Sequence, residues 1–315
     1  MSDLAAFADM ERSGWSDAAR ASGYVDLFAA ASDQAIQPLL DAVGAGPGLR
    51  ALDLCCGQGN VCEALIGRGC DVVGVDFSPA MLAFARKRAP AATFVEADAQ
   101  RLPFADAEFD IVVSNLGLCH VPDPPGALAQ ARRMLGRGGR FAMTVWCGPD
   151  VSPCFEALYG AVKTHGSADV SVPQGPDFHQ FARRDVAEKL LSGAGFADVE
   201  LTIVDCAWHL DSPAALSDIF EKGTVRAATL LASQPPANLA AIKAALADGA
   251  GTVRLRPVGA CRCRQHCCAR PPRSGRRTRA TKACTRRSQI NLPTPSTLRQ
   301  VGPRPGRAGN QAGRR

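Results

Sequence analysis

Short apolar runs alternate with longer amphipathic stretches along the first 206 residues of the chain, and glycine or polar residues separate them. A short apolar run bounded by turn residues is typical of a buried strand, and apolar residues three or four positions apart are typical of a helix. The pattern predicts strands over residues 49–54, 71–76, 93–96, 109–114, 140–146 and 199–206. This alternation predicts an α/β fold: a Rossmann-like, doubly wound, mostly parallel sheet with helices on both faces.

Predicted helices lie between these strands, and one of them has a clear starting signal. Ser78 is a suitable N-cap, and Pro79 suits the first position of a helix that reaches Arg88. Helices are also predicted over residues 61–68, 123–135, 153–166, 183–193 and 213–247. We expect one or two helices in residues 1–46, and we expect these and an insertion at 147–182 to form a lid over the carboxyl edge of the sheet.

Three acidic residues recur at the carboxyl ends of predicted strands. Asp53, Asp76 and Asp98 are spaced 23 and 22 residues apart, and each lies at the end of a strand or just after it. In a doubly wound sheet these strand ends lie side by side, and ligands bind there. The spacing therefore predicts one site that contains all three carboxylates.

The residues around these acids favour a ligand that contains adenosine. An acid at the end of the second strand commonly holds both ribose hydroxyls, and Asp76 fits that role. Phe77 or Met81 would pack on the adenine. Asp98 and the backbone N–H of Ala99 suit its amino group.

A glycine-rich turn, Gly57-Gln58-Gly59, follows the first strand and would face the rest of the ligand, because glycine lets the backbone approach closely. A dinucleotide phosphate site would normally have a third glycine where Cys62 stands. The phosphate-binding interpretation is therefore weakened, but a nicotinamide-dependent oxidoreductase stays open as an alternative.

Charge divides the chain into two unlike parts. Residues 1–250 carry 19 Lys and Arg against 30 Asp and Glu, whereas residues 251–315 carry 17 basic residues and no acidic one. The acidic first part favours a soluble enzyme and gives no sign of nucleic-acid or membrane partners. The N-terminus has no secretory pattern, and no apolar run is long enough to cross a membrane.

Cysteine usage is consistent with a cytoplasmic location. Eight cysteines fall within residues 1–250 without the paired spacing of a zinc site. Reduced thiols in a cytoplasmic protein, with no metal, are therefore expected.

Five motifs appear in a fixed order along the chain. They are LDLCCGQGN at 52–60, VVGVDFSPAML at 72–82, FVEADAQRLPFADAEFDIVVSNLGLCHVPDP at 94–124, ARRMLGRGGRFAMTVW at 131–146 and GAGF at 193–196. In these motifs the chain resembles the class I S-adenosylmethionine-dependent methyltransferases, in particular the small-molecule group that includes the ubiquinone/menaquinone biosynthesis C-methyltransferases. The resemblance extends over about residues 15–255, so we expect residues 1–255 to form one methyltransferase domain.

The resemblance implies S-adenosylmethionine as the cofactor. Asp53, Gly57 and Gly59 would hold its methionine end, and Asn115 would lie near its amino-acid portion. With the ligand chemistry above, the expected cofactor-binding residues are Asp53, Cys55, Gly57, Gly59, Asn60, Asp76, Phe77, Met81, Asp98, Ala99 and Asn115. Cys55 stands where many members have glycine, which is tolerable if its φ is negative.

The implied function is methyl transfer to a small organic acceptor such as a quinone or phenolic ring, with S-adenosylhomocysteine as the other product. Positioning the reactants and excluding water provide most of the catalysis, and a base is needed only if the acceptor must lose a proton. His120 is the candidate catalytic residue, although a structural hydrogen bond is the alternative. Trp15 and Tyr24 are candidate substrate contacts or helix-packing residues. A catalytically impaired methyltransferase-like protein remains a further alternative, and the oligomeric state is open.

Residues 256–315 are rich in Arg, Pro, Gly, Ser and Cys and lack apolar periodicity, so we expect them to be disordered. One interpretation is a genuine basic extension. The other is an out-of-frame translation, because in a shifted frame residues 261–268 can encode LPVPAALL, which resembles the closing strand of the family. The resemblance implies that this antiparallel strand would lie between the fifth and sixth strands and bring the sheet to about seven strands. Its damage would expose sheet edges and leave the chain poorly soluble or marginally stable.

Overall fold

The computed structural model describes residues 3–250 and the backbone of residues 259–265. The expectation of disorder for 256–315 therefore falls almost wholly outside the described residues. Five parallel strands form the centre of the sheet, in the spatial order β3-β2-β1-β4-β5. Their bounds are β1 Arg50–Leu54, β2 Asp71–Asp76, β3 Thr93–Glu96, β4 Phe109–Asn115 and β5 Leu135–Val145. The parallel α/β arrangement confirms the predicted Rossmann-like fold.

Two more extended segments lie beyond β5. Strand β6 is Phe196–Ile203, and the backbone of Gly259–Gln265, β7, runs antiparallel to both β5 and β6. Gly259 is in register with Val145 on one side and with Ile203 on the other.

The bounds of two predicted strands were wrong, and the sixth strand also ends at Ile203, three residues before the predicted end at Cys206. The sixth strand begins at Phe196, three residues before the predicted start, because the Phe196 ring is buried and stacks on Phe141 at 5.0 Å. The fifth begins at Leu135, which pairs with Phe109 before the register shifts to the Ile111 and Arg140 pair. The glycine-rich residues 136–139, between Leu135 and Arg140, form an irregularity inside β5.

Twelve α-helices surround the sheet within residues 3–250. Their bounds are α1 Asp3–Ser16, α2 Ala18–Gly23, α3 Ala29–Ser32, α4 Ile36–Ala42, α5 Asn60–Gly67, α6 Pro79–Arg88, α7 Pro124–Met134, α8 Pro153–His165, α9 Arg184–Gly193, α10 Ala215–Gly223, α11 Arg226–Ala232 and α12 Pro236–Ala250. A π-helical turn, Tyr24–Phe28, and 3-10 turns at Asp33–Ala35, Leu118–His120 and Gln180–Ala182 complete the set. The N-terminal region is thus more broken than the one or two helices predicted.

Alternate residues of each strand pack on opposite faces of the sheet. Leu52 faces a core formed with α7 and α9, whereas its neighbour Ala51 faces a core formed with α4, α5 and α6. A third apolar cluster joins α8, α10, α11 and α12 around Phe28, Trp146 and Trp208. None of the helices in the described part of the chain is both long and apolar enough to cross a membrane.

Candidate functional site

A cavity of about 290 Å³ lies at the carboxyl ends of the parallel strands. Its walls come from the ends of β1, β2 and β4, the segment after β3, the turn before α5, and helix α1. The predicted site residues that line it are Trp15, Tyr24, Asp53, Cys55, Gly57, Asn60, Asp76, Phe77, Met81, Asp98, Ala99, Asn115 and His120. Gly59 does not line it, and the 147–182 insertion contributes no lining residue among those described.

Asp53 is fully buried and has an unused oxygen. Its Oδ2 accepts the thiol hydrogen of Cys62 at 3.1 Å, whereas its Oδ1 has no hydrogen-bond partner in the described part of the chain. Burial, reinforced by the charge of Asp76, raises the pKa of Asp53 to about 7, although the Cys62 thiol opposes this shift. Because buried polar atoms normally have partners, this oxygen marks a position for a ligand cation or donor.

Asp76, the last residue of β2, is engaged through both carboxylate oxygens. Oδ2 accepts the backbone N–H of Gly57 at 2.9 Å, and Oδ1 accepts that of Ser78 at 2.9 Å. Burial raises the pKa of Asp76, although these two hydrogen bonds and His120 act in the opposite direction. A carboxylate oxygen can accept a second hydrogen bond, so Asp76 can still bind a ligand hydroxyl.

Asp98 lies at the rim of the same cavity. Its Oδ1 accepts the backbone N–H and the side-chain amide of Gln100, both at 2.9 Å. Its Oδ2 is 3.4 Å from the Arg12 guanidinium, which also lies 5.3 Å from the centre of the Phe77 ring. Helix α1 thus reaches across the cavity to the third of the recurring acids.

The turn after β1 has left-handed backbone at three positions. The φ angles are +60° at Cys55, +51° at Gly57 and +79° at Gly59. The φ of Cys55 is therefore positive and not negative, as a residue other than glycine would need at this position. The close approach of its Cβ to the backbone carbonyl costs about 1–2 kcal/mol, which glycine would avoid. Gly59 has a packing role, because a Cβ there would lie 2.9 Å from the Cα of Ala85 in α6.

Two asparagines connect the strand ends to the N-terminal region. Asn60 donates to Asp33 Oδ1 at 2.5 Å, and Asn115 donates to the carbonyl of Ser32 at 3.3 Å. Thr144 donates to Asn115 Oδ1 at 2.5 Å, which fixes the orientation of that amide. These contacts hold the segment around residues 32–33 against the cavity wall.

Aromatic side chains also line the cavity. The Trp15 ring meets Tyr24 edge-on at 5.4 Å, and Tyr24 stacks on Phe28 at 5.4 Å. Burial raises the pKa of Tyr24 to about 12, so its hydroxyl stays protonated. Met81 is buried against Trp15 and Phe77. Both predicted substrate contacts therefore line the cavity and also pack the N-terminal helices.

His120 is held by a carboxylate that sequence reasoning missed. Its Nδ1 lies 3.0 Å from Oε2 of Glu11, a residue that is only 2% exposed. Glu11 also accepts the indole N–H of Trp15 at 2.9 Å and the Arg226 Nε–H at 2.8 Å. His120 therefore makes a structural hydrogen bond, although the partner of its Nδ1 is a carboxylate and not the backbone, and a catalytic role for His120 stays a prediction.

Other lining residues were missed as well, among them Arg12 and Gln58. Glu11 and Arg12 lie three and four positions after Ala8 on one face of α1. The polar residues on that face were the signal in the sequence that could have pointed to the cavity. Gln58 is 2% exposed, and its Nε2 lacks a hydrogen-bond acceptor among the described residues. No group of three or more His, Cys, Asp or Glu side chains within residues 3–250 is arranged to hold a metal ion.

Comparison with known proteins agrees with this geometry. A family model described as a methyltransferase domain matches residues 52–143. The demethylmenaquinone methyltransferase of Paenarthrobacter aurescens is 32% identical over 171 residues, which cover 51% of this chain and 67% of that protein. The chain belongs to the class I S-adenosylmethionine-dependent methyltransferase family, near the quinone methyltransferases.

Other matches cover less of the relative or are more remote. The demethylmenaquinone methyltransferase of Beutenbergia cavernae is 45% identical over 121 residues, or 38% of this chain and 50% of that protein. The chain therefore spans about half the length of this relative. A chain of the solved complex between the Haloferax volcanii Trm112 methyltransferase activator and a methyltransferase matches with a TM-score of 0.51 at 18% identity, covering 81% of this chain and 98% of that chain. This likeness supports the fold alone.

Proposed function

We propose that this chain transfers a methyl group from S-adenosylmethionine to a small organic acceptor and releases S-adenosylhomocysteine. The observation that carries the proposal is the buried, unpartnered Oδ1 of Asp53 in the same cavity as Asp76 and Asp98. An ammonium group is the ligand chemistry that would satisfy this oxygen, and the methionine portion of the cofactor supplies one.

The other cavity residues fit the remaining parts of the cofactor. Asp76 would accept the ribose hydroxyls, Asp98 would accept from the adenine amino group, and the Ala99 N–H would donate to an adenine ring nitrogen. Gln58 can donate from its unpartnered Nε2 to the cofactor carboxylate. Gly57 leaves open space beside the cavity, since a Cβ there would have no neighbour within 4 Å.

When bound, the cofactor supplies an electrophilic methyl group on a positively charged sulfur. The protein's part is to align the acceptor with that group and to exclude water. Helix α1 and the rings of Trp15 and Tyr24 would provide the apolar cover. A flat quinone or phenolic acceptor suits these rings, and this acceptor class is also consistent with the similarity to demethylmenaquinone methyltransferases.

Nicotinamide-dependent oxidoreduction is not favoured. Cys62 is fully buried in α5 and donates to Asp53, so the position of the third glycine is occupied by a packed side chain. In a dinucleotide-binding motif, a glycine at that point lets the helix pack closely against the strand.

We further propose that residues 1–255 and the β7 segment form one methyltransferase domain with a seven-stranded sheet. The backbone register of Gly259–Gln265 between β5 and β6 supports this. The out-of-frame hypothesis for 256–315 is tested by resequencing that part of the gene, and an intact frame whose codons cannot encode LPVPAALL would refute it.

Calorimetric titration of the full chain with S-adenosylhomocysteine tests the proposed function. We expect saturable heat with one site per chain and no comparable response to NADH. The absence of heat with S-adenosylhomocysteine from folded protein would contradict the proposal, and binding of NADH instead would favour the oxidoreductase alternative.

A further inference from the structure

A buried ionic cluster lies beside the proposed cofactor cavity. Glu11 of α1 accepts hydrogen bonds from Trp15, from Arg226 of α11 and from Nδ1 of His120, at 2.8–3.0 Å. The three donors come from elements far apart in the chain, and all converge on one carboxylate that is 2% exposed. Such a carboxylate stays ionised, because the guanidinium of Arg226 is always charged and pairs with it directly.

Arg226 cannot offer its charge to a ligand. Its Nε donates to Glu11, its Nη1 to the carbonyl of Pro176 at 3.2 Å, and its Nη2 to the carbonyl of Cys119 at 2.7 Å. The guanidinium is also covered by the Phe7 ring at 4.2 Å. All three of its nitrogens are thus committed to the protein, and Arg226 is not among the cavity-lining residues.

His120 is the member of the cluster that combines a titratable, basic ring with a place in the cavity wall. Burial alone would lower its pKa, but its neighbours Cys119 and Glu11 raise it to about 10. Glu11 itself has a lowered pKa: burial opposes the shift, and His120 and Arg226 outweigh it. Asp76 is a further ionisable neighbour, because its carboxylate also interacts with the imidazole.

We propose that Glu11 is a positioning residue that holds His120 as an imidazolium in the cavity wall, where the ring pairs with an anionic oxygen of the methyl acceptor. This inference rests on the proposed methyltransferase function and narrows its acceptor class to compounds with an acidic hydroxyl on a ring or enol. Glu11 orients the imidazole through Nδ1, Trp15 and Phe178 pack edge-on against the ring, and the 20% of the side chain that stays exposed is the part that can meet the acceptor.

The proton and electron balance of this arrangement is simple. The acceptor hydroxyl loses its proton to solvent on binding, and the resulting oxyanion pairs with the imidazolium, which keeps its own proton. An electron pair of the acceptor then forms the bond to the methyl carbon, while the pair of the sulfur–methyl bond stays on sulfur. If a ring carbon is methylated, its hydrogen leaves to solvent as a proton. His120 therefore acts as a fixed cation and not as a base.

The test uses 4-nitrophenol, whose ionised form absorbs visible light, with the full chain saturated by S-adenosylhomocysteine. In the wild-type protein we expect the apparent pKa of the bound probe to fall by about one unit or more, a tenfold change in its ionisation equilibrium. H120Q should abolish the shift, and E11Q should reduce it while S-adenosylhomocysteine still binds. E188Q is the matched control, because Glu188 is exposed on α9 and pairs only with Arg184 in the described contacts.

A second readout separates positioning from a structural role. NMR titration of the His120 ring should give a pKa closer to the ordinary value in an E11Q protein whose NMR spectrum shows that it is folded, because unfolding alone would also return the pKa to its ordinary value. If E11Q does not fold, H120Q decides, because glutamine can still donate to Glu11. An unshifted or unbound probe in wild type, or a shift that survives in H120Q, overturns the inference even when S-adenosylhomocysteine binds. Failure of S-adenosylhomocysteine to bind wild type would instead refute the proposed function.

Discussion

The carboxylate of Asp76 accepts the backbone N–H of Gly57 at 2.9 Å, so the end of the second strand is connected directly to the turn that follows the first. One side chain therefore shapes the glycine-rich turn and faces the cavity at the same time. Any ligand that binds both elements meets a wall that is already assembled, which reduces the entropy lost on binding.

Replacing Asp76 with alanine tests its ligand role. Asp76→Ala should weaken S-adenosylhomocysteine binding by about 1–3 kcal/mol, because hydrogen bonds to a charged acceptor are lost. Asp71→Ala is the control, since Asp71 begins the same strand and its side chain is 74% exposed. Calorimetry measures both. Equal affinities in wild type and Asp76→Ala would remove this residue from the proposed site.

The affinity for S-adenosylhomocysteine should depend on pH through Asp53. Burial raises the pKa of Asp53 to about 7, so below that pH the carboxyl is protonated and must ionise to bind an ammonium group. We expect affinity to fall by up to about tenfold per pH unit below pH 7. Asp53→Asn should bind weakly with a flatter profile. A wild-type slope that persists in Asp53→Asn would assign the pH dependence to another group.

The stability of the ligand-free chain should fall as pH rises from about 6.5 to about 10. Burial opposes ionisation of His120, but Cys119 and Glu11 raise its pKa to about 10, above the ordinary 6.5. The folded state therefore binds this proton more tightly, and the stabilisation is complete below 6.5 and lost through 10. Thermal unfolding of wild type and H120Q across this range measures the difference. Parallel curves for the two proteins would contradict it.

Gly59→Ala should destabilise the chain, whereas Gly67→Ala should not. Gly59 has φ of +79°, and an added Cβ would lie 2.9 Å from the backbone of Ala85, so we expect a loss of at least about 1–2 kcal/mol. Gly67 is the last residue of α5, the helix that follows Gly59, and an added Cβ there would have no atom within 4 Å. Alanine at that position should therefore be neutral or slightly stabilising. Chemical denaturation checks both variants, and equal midpoints would refute the packing role of Gly59.

Deletion of residues 259–315 should lower the melting temperature more than deletion of residues 266–315. The longer deletion removes the backbone that pairs with Val145 and Ile203, which leaves β5 and β6 without that partner. The shorter deletion keeps all of the β7 segment. Identical melting temperatures for the two shortened chains would show that β7 contributes nothing to stability.

The sequence alone determined where the first four strands lie along the chain and that acidic residues stand at or just after the carboxyl ends of three of them. Apolar runs of about five residues, bounded by turn residues, are local signals, so β1 to β4 were located within one residue of their observed bounds. The acids at positions 53 and 76 end such strands, and parallel topology then brings them to one edge. Helix starts with strong caps, such as Ser78, were equally visible because Ser78 Oγ accepts the N–H of Met81 within one turn.

Only the tertiary structure decided which distant residues complete the site. Glu11 lies 109 residues from His120 and 215 from Arg226, and no local pattern records a contact across such separations. The early start of β6 was likewise set by packing, of Phe196 on Phe141, and the positive φ of Cys55 was seen only in the structure. Local propensity and hydrophobic period define the elements, but a buried charge acquires its partners only when those elements pack together.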